Sequence, residues 1–111
     1  SVSDAARSMR AGGGVSEETT TAVWKALPEG AAHATTAEGV AAGTDVDPDT
    51  ARVALDQLAE NTPSVHRLPF EDLGEAGDDG TVTVEWHGQE IPIEGAREAV
   101  KRRNPLFFKE V

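Results

Sequence analysis

Two side chains on one predicted helix, Arg52 and Gln57, have the chemistry to read base pairs in a DNA duplex. A guanidinium group forms paired hydrogen bonds with guanine, and a carboxamide does the same with adenine. Both side chains, together with Thr50 and Val53, face away from the apolar stripe of that helix. The competing interpretation is that they are solvated helix positions, since Arg52 lies four residues before Asp56 and can pair with it.

A second group of cations lies near the carboxyl end of the chain, on a helix predicted from Glu94 to about Arg103 that ends before Pro105. These cations can contact the phosphate backbone of DNA. They can equally complement the negative end of their own helix and keep it soluble. The candidate phosphate contacts are Arg97, Lys101, Arg102 and Arg103.

The segment Leu106-Phe107-Phe108 contains two of the three phenylalanines in the chain. In a protein with so few aromatic residues, we expect these side chains to be buried. The sequence allows burial in the chain's own core or across an interface with a partner or a second copy. These three residues are therefore the candidates for a partner interface.

Residues suited to catalysis are sparse. His33, His66 and His87 lack the close spacing of a metal site, and no cysteine is present as ligand or nucleophile. The run Gly12-Gly13-Gly14 lacks the following Lys-Ser/Thr of a phosphate-binding loop and indicates a flexible link. We expect no enzymatic activity, no metal site and no cofactor.

Two short helices joined by a tight turn are predicted to position the base-reading side chains. Thr35 can cap the first, with Glu38 reaching back to the cap amide, and Gly43 can end it with a positive φ. Asp47 can cap the second, and the proline that follows suits its first position.

An apolar stripe runs along the second of these helices, predicted over Pro48–Glu60. A further helix is predicted over Ser16–Leu27, with Ser16 as its cap and Pro28 as its stop. The stripe consists of Ala51, Leu55 and Leu58. The residues expected to be buried together are Val23, Leu27, Leu55 and Leu58.

After Asn61 the apolar period shortens to two, as in a β-strand. Ser64–Phe70 and Thr81–Trp86 are predicted strands, and His87-Gly88 can turn the second onto Gln89–Ile93 as a hairpin. A proline in the last segment indicates an edge strand.

Helix, link, helix, turn, helix, strand, loop and strand follow one another over residues 16–93, and this order resembles the winged helix-turn-helix superfamily. The resemblance implies an α+β fold with a three-helix core, a small antiparallel sheet with a wing, and a C-terminal helix. A three-helix bundle with an added hairpin would give most of the same pattern. The residues that carry the resemblance are Glu38, Val40, Ala41, Gly43-Thr44-Asp45-Val46, Thr50-Ala51, Leu55 and Leu58.

The chain of 111 residues is long enough for one domain with tails. We expect a flexible N-terminal arm over residues 1–15, a winged-helix domain over 16–93, and a basic helix with an apolar tail over 94–111. No apolar run approaches the roughly 20 residues needed to cross a bilayer. We therefore expect a soluble cytoplasmic protein.

The formal net charge of −10 has two explanations. One is adaptation of the surface to high salt, because the acidic, lysine-poor composition resembles that of haloarchaeal cytoplasmic proteins. The other is that the acidity is functional and repels or mimics nucleic acid. The predicted second helix of the motif and the loop Glu71–Gly80, the candidate wing, are both strongly acidic, whereas the C-terminal segment is basic.

These features predict a small DNA-binding transcription regulator adapted to high salt, with double-stranded DNA as its partner and a dimer as its possible form. The alternative is a winged-helix module for protein interaction or assembly that uses its acidic helix and its C-terminal tail without binding DNA.

Overall fold

The computed structural model describes residues 15–110 and shows a mixed α+β protein. Residues 1–14 of the predicted N-terminal arm lie outside the described part. The chain forms two compact units. The first contains residues 15–27 and 37–63, and the second contains residues 28–36 and 64–110. The strands of the predicted 16–93 domain are thus grouped with the C-terminal segment.

The first unit consists of three helices, α1 (Glu17–Ala26), α2 (Ala37–Ala42) and α3 (Pro48–Asn61). The predicted cap of α1 is confirmed, because the Ser16 hydroxyl accepts a hydrogen bond of 3.2 Å from the Thr19 amide. The cap of α3 is also confirmed, since the Asp47 carboxylate accepts from the Thr50 amide at 3.0 Å. Both caps satisfy amides that have no acceptor within their own helix.

The turn of the motif differs from its prediction in two details. Thr35 lies two residues before α2, and its backbone exchanges hydrogen bonds with Phe107 instead of capping the helix. Gly43 does not have the positive φ expected of it. The turn is closed by hydrogen bonds from the Gly43 amide to the Val40 carbonyl and from the Thr44 hydroxyl to the Ala41 carbonyl. These bonds satisfy the last carbonyls of α2 without a left-handed residue.

The predicted burial of the helical unit is confirmed. Val23 and Leu55 are fully buried, Leu27 is 3% exposed and Leu58 is 8% exposed. Ala51 is also fully buried. The stripe spacing found in the sequence therefore identifies the inward side of α3.

The second unit contains β1 (Val65–Leu68), β2 (Val82–Trp86), β3 (Gln89–Ile93), α4 (Arg97–Arg102) and β4 (Leu106–Lys109), together with short 3-10 turns at Ala31–His33 and Phe70–Asp72. Helix α4 begins three residues later than predicted, after Gly95 with a φ of 71°. It ends at Arg103 in the left-handed region, where the Asn104 amide donates to the Ala99 carbonyl at 2.8 Å. This is the pairing of a Schellman cap.

The predicted hairpin is confirmed. Trp86 pairs with Gln89 across a two-residue loop in which His87 and Gly88 have φ values of 50° and 77°. Positive φ at both loop positions fits a type I′ turn, whose twist matches that of the strands. Pro92 lies opposite Thr83 in this two-stranded sheet.

Strand β1 pairs with β4 and not with β2, which the sequence analysis did not predict. The loop Glu71–Gly80 therefore joins strands of different sheets and is not a wing between paired strands. Strand β4 is hydrogen-bonded on both sides, because its backbone also pairs with Thr35 and Pro28. Strand β4 is therefore the central strand, with β1 on one side and residues 28–35 on the other. Its apolar side chains suit this position, and its backbone groups find partners on both sides.

Candidate interaction surface

The solvent side of α3 carries the side chains that the sequence singled out for base reading. Val53 is 36% exposed and is one of two large apolar side chains with this exposure among residues 15–110. Asp49 and Glu60 are exposed, whereas Asp56 and Gln57 are half-buried. An aliphatic side chain therefore lies among carboxylates on the exposed part of the helix.

The side chains of Arg52 and Thr50, which were predicted to read bases, make hydrogen bonds within their own helix region. The Arg52 Nε lies 3.2 Å from an Asp56 carboxylate oxygen, so the pairing considered as the competing interpretation is present. The Thr50 hydroxyl donates to the Asp47 carboxylate at 2.7 Å.

Acidic side chains dominate the charge of α3 and the turn before it. From residue 45 to residue 60 there are five carboxylates and one cation, Arg52. Its positive charge, which is paired with Asp56, offsets one of the five negative charges. The potential of this region therefore attracts cations and opposes approach to a phosphate backbone. The carboxylates are Asp45, Asp47, Asp49, Asp56 and Glu60.

The Asp47 cap has a pKa below its ordinary value. The main cause is the hydrogen bond from the Thr50 side chain, followed by the one from the Thr50 backbone amide. Both bonds stabilise the ionised carboxylate. The capping contribution is therefore present above the unfolded pKa of Asp and is lost as the pH falls through the lower, folded value.

Asp47→Ala is expected to destabilise the protein at pH 7 and to reduce the loss of stability on acidification. Asp47→Asn is the matched control, since asparagine caps a helix about as well as aspartate but carries no charge. We expect Asp47→Asn to keep most of the stability at pH 7 and to share the weaker pH dependence. Urea unfolding at pH 7 and pH 3 measures both effects. An unchanged pH dependence in both variants would contradict the assignment.

The predicted phosphate contacts near the carboxyl end all have partners within the second unit. Arg97 donates to the carbonyls of Gly77 and Asp78 at 2.9 and 2.8 Å. Lys101 and Arg102 lie 4.0 and 3.7 Å from the Glu98 carboxylate. The Arg103 guanidinium lies 5.9 Å from the centre of the Phe70 ring. These cations therefore balance and order their own surroundings.

Arg97 holds the acidic loop, a role that the sequence analysis missed. The same loop is closed by a hydrogen bond of 2.9 Å from the Thr81 amide to the Asp79 carboxylate. This bond is the largest cause of the lowered pKa of Asp79, to which Arg97 adds a smaller electrostatic effect. Arg97 is separated from Asp78 and Gly77 by 19 and 20 positions, so no local pattern in the sequence predicts these hydrogen bonds.

The tail segment Leu106-Phe107-Phe108 is at most 1% exposed. The prediction that these side chains form a partner interface is therefore wrong, and the alternative of burial within the chain is correct. Strand β4 is paired on both sides by segments of its own chain, and all of its side chains are buried.

A cluster of rings surrounds Trp86 in the second unit. The ring centres of His66, His87 and Phe108 lie 4.7, 4.3 and 5.3 Å from that of Trp86. His66 Nε2 lies 3.0 Å from a Glu110 carboxylate oxygen. His66 and Glu110 are 44 residues apart, so sequence spacing gave no indication of this contact. The contacts join β1, the hairpin and the end of β4.

The second unit also has an open cavity of about 810 Å³. Buried Ala96, Ala99 and Leu106 contribute to its wall, and Asp79, Glu94 and Glu98 are its carboxylates. Arg97 acts electrostatically on Asp79, and Glu98 pairs with two cations. The lining contains three carboxylates and no lysine or arginine, and cations outside the lining offset part of this negative charge.

No family model matches the sequence, and neither the curated proteins nor the solved structures include a significant match. Within residues 15–110, no helix has the length and apolar character needed to cross a bilayer.

Proposed function

We propose that the protein is an interaction module of the helix-turn-helix type, which binds a basic segment of a partner protein on the exposed face of α3. The observation that carries this proposal is the acidity of that face, where the only cation from residue 45 to residue 60 is paired with Asp56. The assignment to the winged helix-turn-helix fold is part of the proposal. It is supported by the order of helices and strands and by the three-helix core.

The surface has the composition of a small binding patch. Val53 supplies an exposed apolar centre, and Asp49, Asp56 and Glu60 supply charges around it. Interfaces commonly combine an apolar centre with a polar rim. Charges on the rim accelerate encounter with a partner of opposite sign and reject partners of the same sign. A partner segment with lysine or arginine beside an apolar residue fits this pattern.

Binding of double-stranded DNA, as a transcription regulator adapted to high salt, is the competing proposal. It is favoured by the exposure of the Arg52 and Asp56 side chains, which are 37% and 46% exposed. An exposed ion pair of this kind contributes only about 0.2 to 1 kcal/mol, so guanine can compete for Arg52. In this alternative Arg97, Lys101, Arg102 and Arg103 contact phosphates, and a dimer places two such helices on the duplex.

The test is NMR titration of the ¹⁵N-labelled protein with two probes, an amphipathic lysine-leucine peptide and a mixture of duplex DNA fragments. We expect the peptide to shift the amide signals of α3 and the turn before it. Its affinity should fall as potassium chloride rises, because salt screens attraction between exposed charges. We expect the duplex to cause no shift from low salt to molar salt.

Charge reversal distinguishes binding at α3 from non-specific attraction to the negative net charge of the protein. Asp49→Lys combined with Glu60→Lys should weaken peptide binding by about tenfold or more, equivalent to about 1.4 kcal/mol. Glu85→Lys combined with Glu90→Lys is the control, because these exposed hairpin residues give the same change in net charge. Equal weakening by both pairs would contradict a binding site on α3.

Duplex binding would favour the DNA alternative only if it meets three requirements. It must persist in molar salt, shift the α3 amides, and weaken by about 1 to 3 kcal/mol in Arg52→Ala. In that case Lys101→Ala should weaken binding to all sequences alike.

A further inference from the structure

Four side chains form one line along the solvent side of α3, which we call the outer line. At about 100° per residue, all four fall within about 60° of one another, on the side opposite the buried residues of the helix. The outer line consists of Asp49, Val53, Asp56 and Glu60.

The two ends of the outer line carry the negative charge that is available to a partner. Asp56 is paired with Arg52 at 3.2 Å. Asp49 and Glu60 are exposed and form no ion pair within residues 15–110. Val53 lies between them and is 36% exposed. A partner that complements the line therefore brings two cations to its ends and an apolar side chain to its interior.

The spacing of the end carboxylates determines which partner conformation fits. Asp49 and Glu60 are eleven residues apart, which is about 16 Å along the helix axis. In a second helix, two cations eleven residues apart span the same length and lie within about 20° of one another. In a strand, this length corresponds to about five residues, so the two side chains point to opposite faces. A helix therefore meets both carboxylates with one face, whereas a strand does not.

The carboxyl end of α3 indicates the direction of the partner helix. Glu60 lies in the last turn of α3, and that turn contains no basic residue. The carboxylate therefore adds to the negative end of the helix dipole. The amino end of a second helix carries the opposite partial charge and is the most favourable neighbour for this end. This favours a partner helix that runs antiparallel to α3.

We propose that the partner segment bound on α3 is an amphipathic helix that packs antiparallel along the outer line. Its first cation meets Glu60, an apolar residue seven positions after that cation meets Val53, and a second cation four positions further on meets Asp49. Side chains four residues apart form the ridges by which helices pack together. The inference rests on the proposed function, since it specifies the partner of the same surface.

The test is titration of the ¹⁵N-labelled full chain with alanine-rich helical peptides at low salt. The first peptide carries lysine, leucine and lysine at the proposed spacing of seven and four residues. In the second peptide, the last lysine is moved by two residues, which turns it to the other side of the peptide helix at the same charge and length. We expect the first peptide to shift the α3 amides and to bind about tenfold more tightly than the second, or better.

A third peptide tests the helical conformation itself. It has the sequence of the first with a central alanine replaced by proline, which breaks the helix and keeps the charges. We expect it to bind about tenfold more weakly than the first, or worse. Equal affinity of the first three peptides, with shifts at α3, would overturn the helical partner and leave the proposed function standing.

A fourth peptide tests the direction. Its leucine follows the first lysine by four residues and precedes the second by seven, which is the spacing for a parallel helix. We expect it to bind more weakly than the first peptide. Tighter binding by the fourth peptide would overturn the antiparallel arrangement.

A double-mutant cycle tests the pairing of Glu60 with the first lysine. Glu60→Gln should weaken binding of the first peptide but not of a version in which that lysine is alanine. Glu85→Gln on the hairpin is the control for net charge. Equal weakening of both peptides by Glu60→Gln would overturn the pairing. Failure of every peptide to shift the α3 amides would contradict the proposed function, and with it this inference.

Discussion

Phe108→Ala is expected to remove about 3 to 5 kcal/mol from the free energy of unfolding. The Phe108 side chain is 1% exposed and belongs to the apolar core of the second unit. Its ring centre lies 5.1 Å from that of His66 and 5.3 Å from that of Trp86. Truncation therefore loses apolar burial, leaves a cavity and removes two ring contacts. Domains are commonly stable by about 5 to 15 kcal/mol, so the loss is a large part of the total.

Urea unfolding followed by tryptophan fluorescence measures this change. A Trp24→Phe background leaves Trp86 as the only tryptophan, so the signal reports on the second unit. Phe70→Ala is the matched control, because the same side chain is truncated at a half-buried position. We expect the control to lose less than half as much stability. Similar small losses in both variants would contradict the placement of Phe108 in the core.

Leu55→Ala is expected to destabilise the protein by about 2 to 5 kcal/mol. Leu55 is fully buried on the inward side of α3. Removal of its isobutyl group leaves a cavity that a helical core can fill only in part. A Trp86→Phe background leaves Trp24 to report on the helical unit during urea unfolding.

Val53→Ala on the same helix is the control for Leu55→Ala. Val53 is 36% exposed, so its truncation should change stability by no more than about 0.5 kcal/mol. Comparable losses in the two variants would mean that the stripe does not define the buried side of α3.

Local features of the sequence determined the helical unit. Ser16 and Asp47 accept hydrogen bonds from amides three residues later, so the signals for the start of α1 and α3 are contained in a few consecutive residues. The spacing of Leu55 and Leu58 identified the buried side of α3. The hairpin at His87-Gly88 was predictable for the same reason, because loop length and loop residues select the turn.

Only part of the candidate surface could be predicted from neighbouring residues in the sequence. The exposed position of Val53 and the pairing of Arg52 with Asp56 follow from helix spacing. The hydrogen bonds from Arg97 to the carbonyls of Gly77 and Asp78 do not follow from helix spacing. They depend on how α4 packs against a loop that is distant in the sequence.

Only the tertiary structure decided the partners of β1 and β4. The segment Leu106–Lys109 has the composition of an apolar tail. The residues of this segment do not specify whether it pairs with β1, with β2 or with another chain. The structure pairs Phe108 with His66, and pairs the neighbouring Phe107 with Thr35 through its backbone on the other side. Such pairings join residues more than 40 positions apart. Caps, turns and apolar periods are set by neighbours in sequence, whereas strand pairing is set by which apolar surfaces the whole chain can bury together.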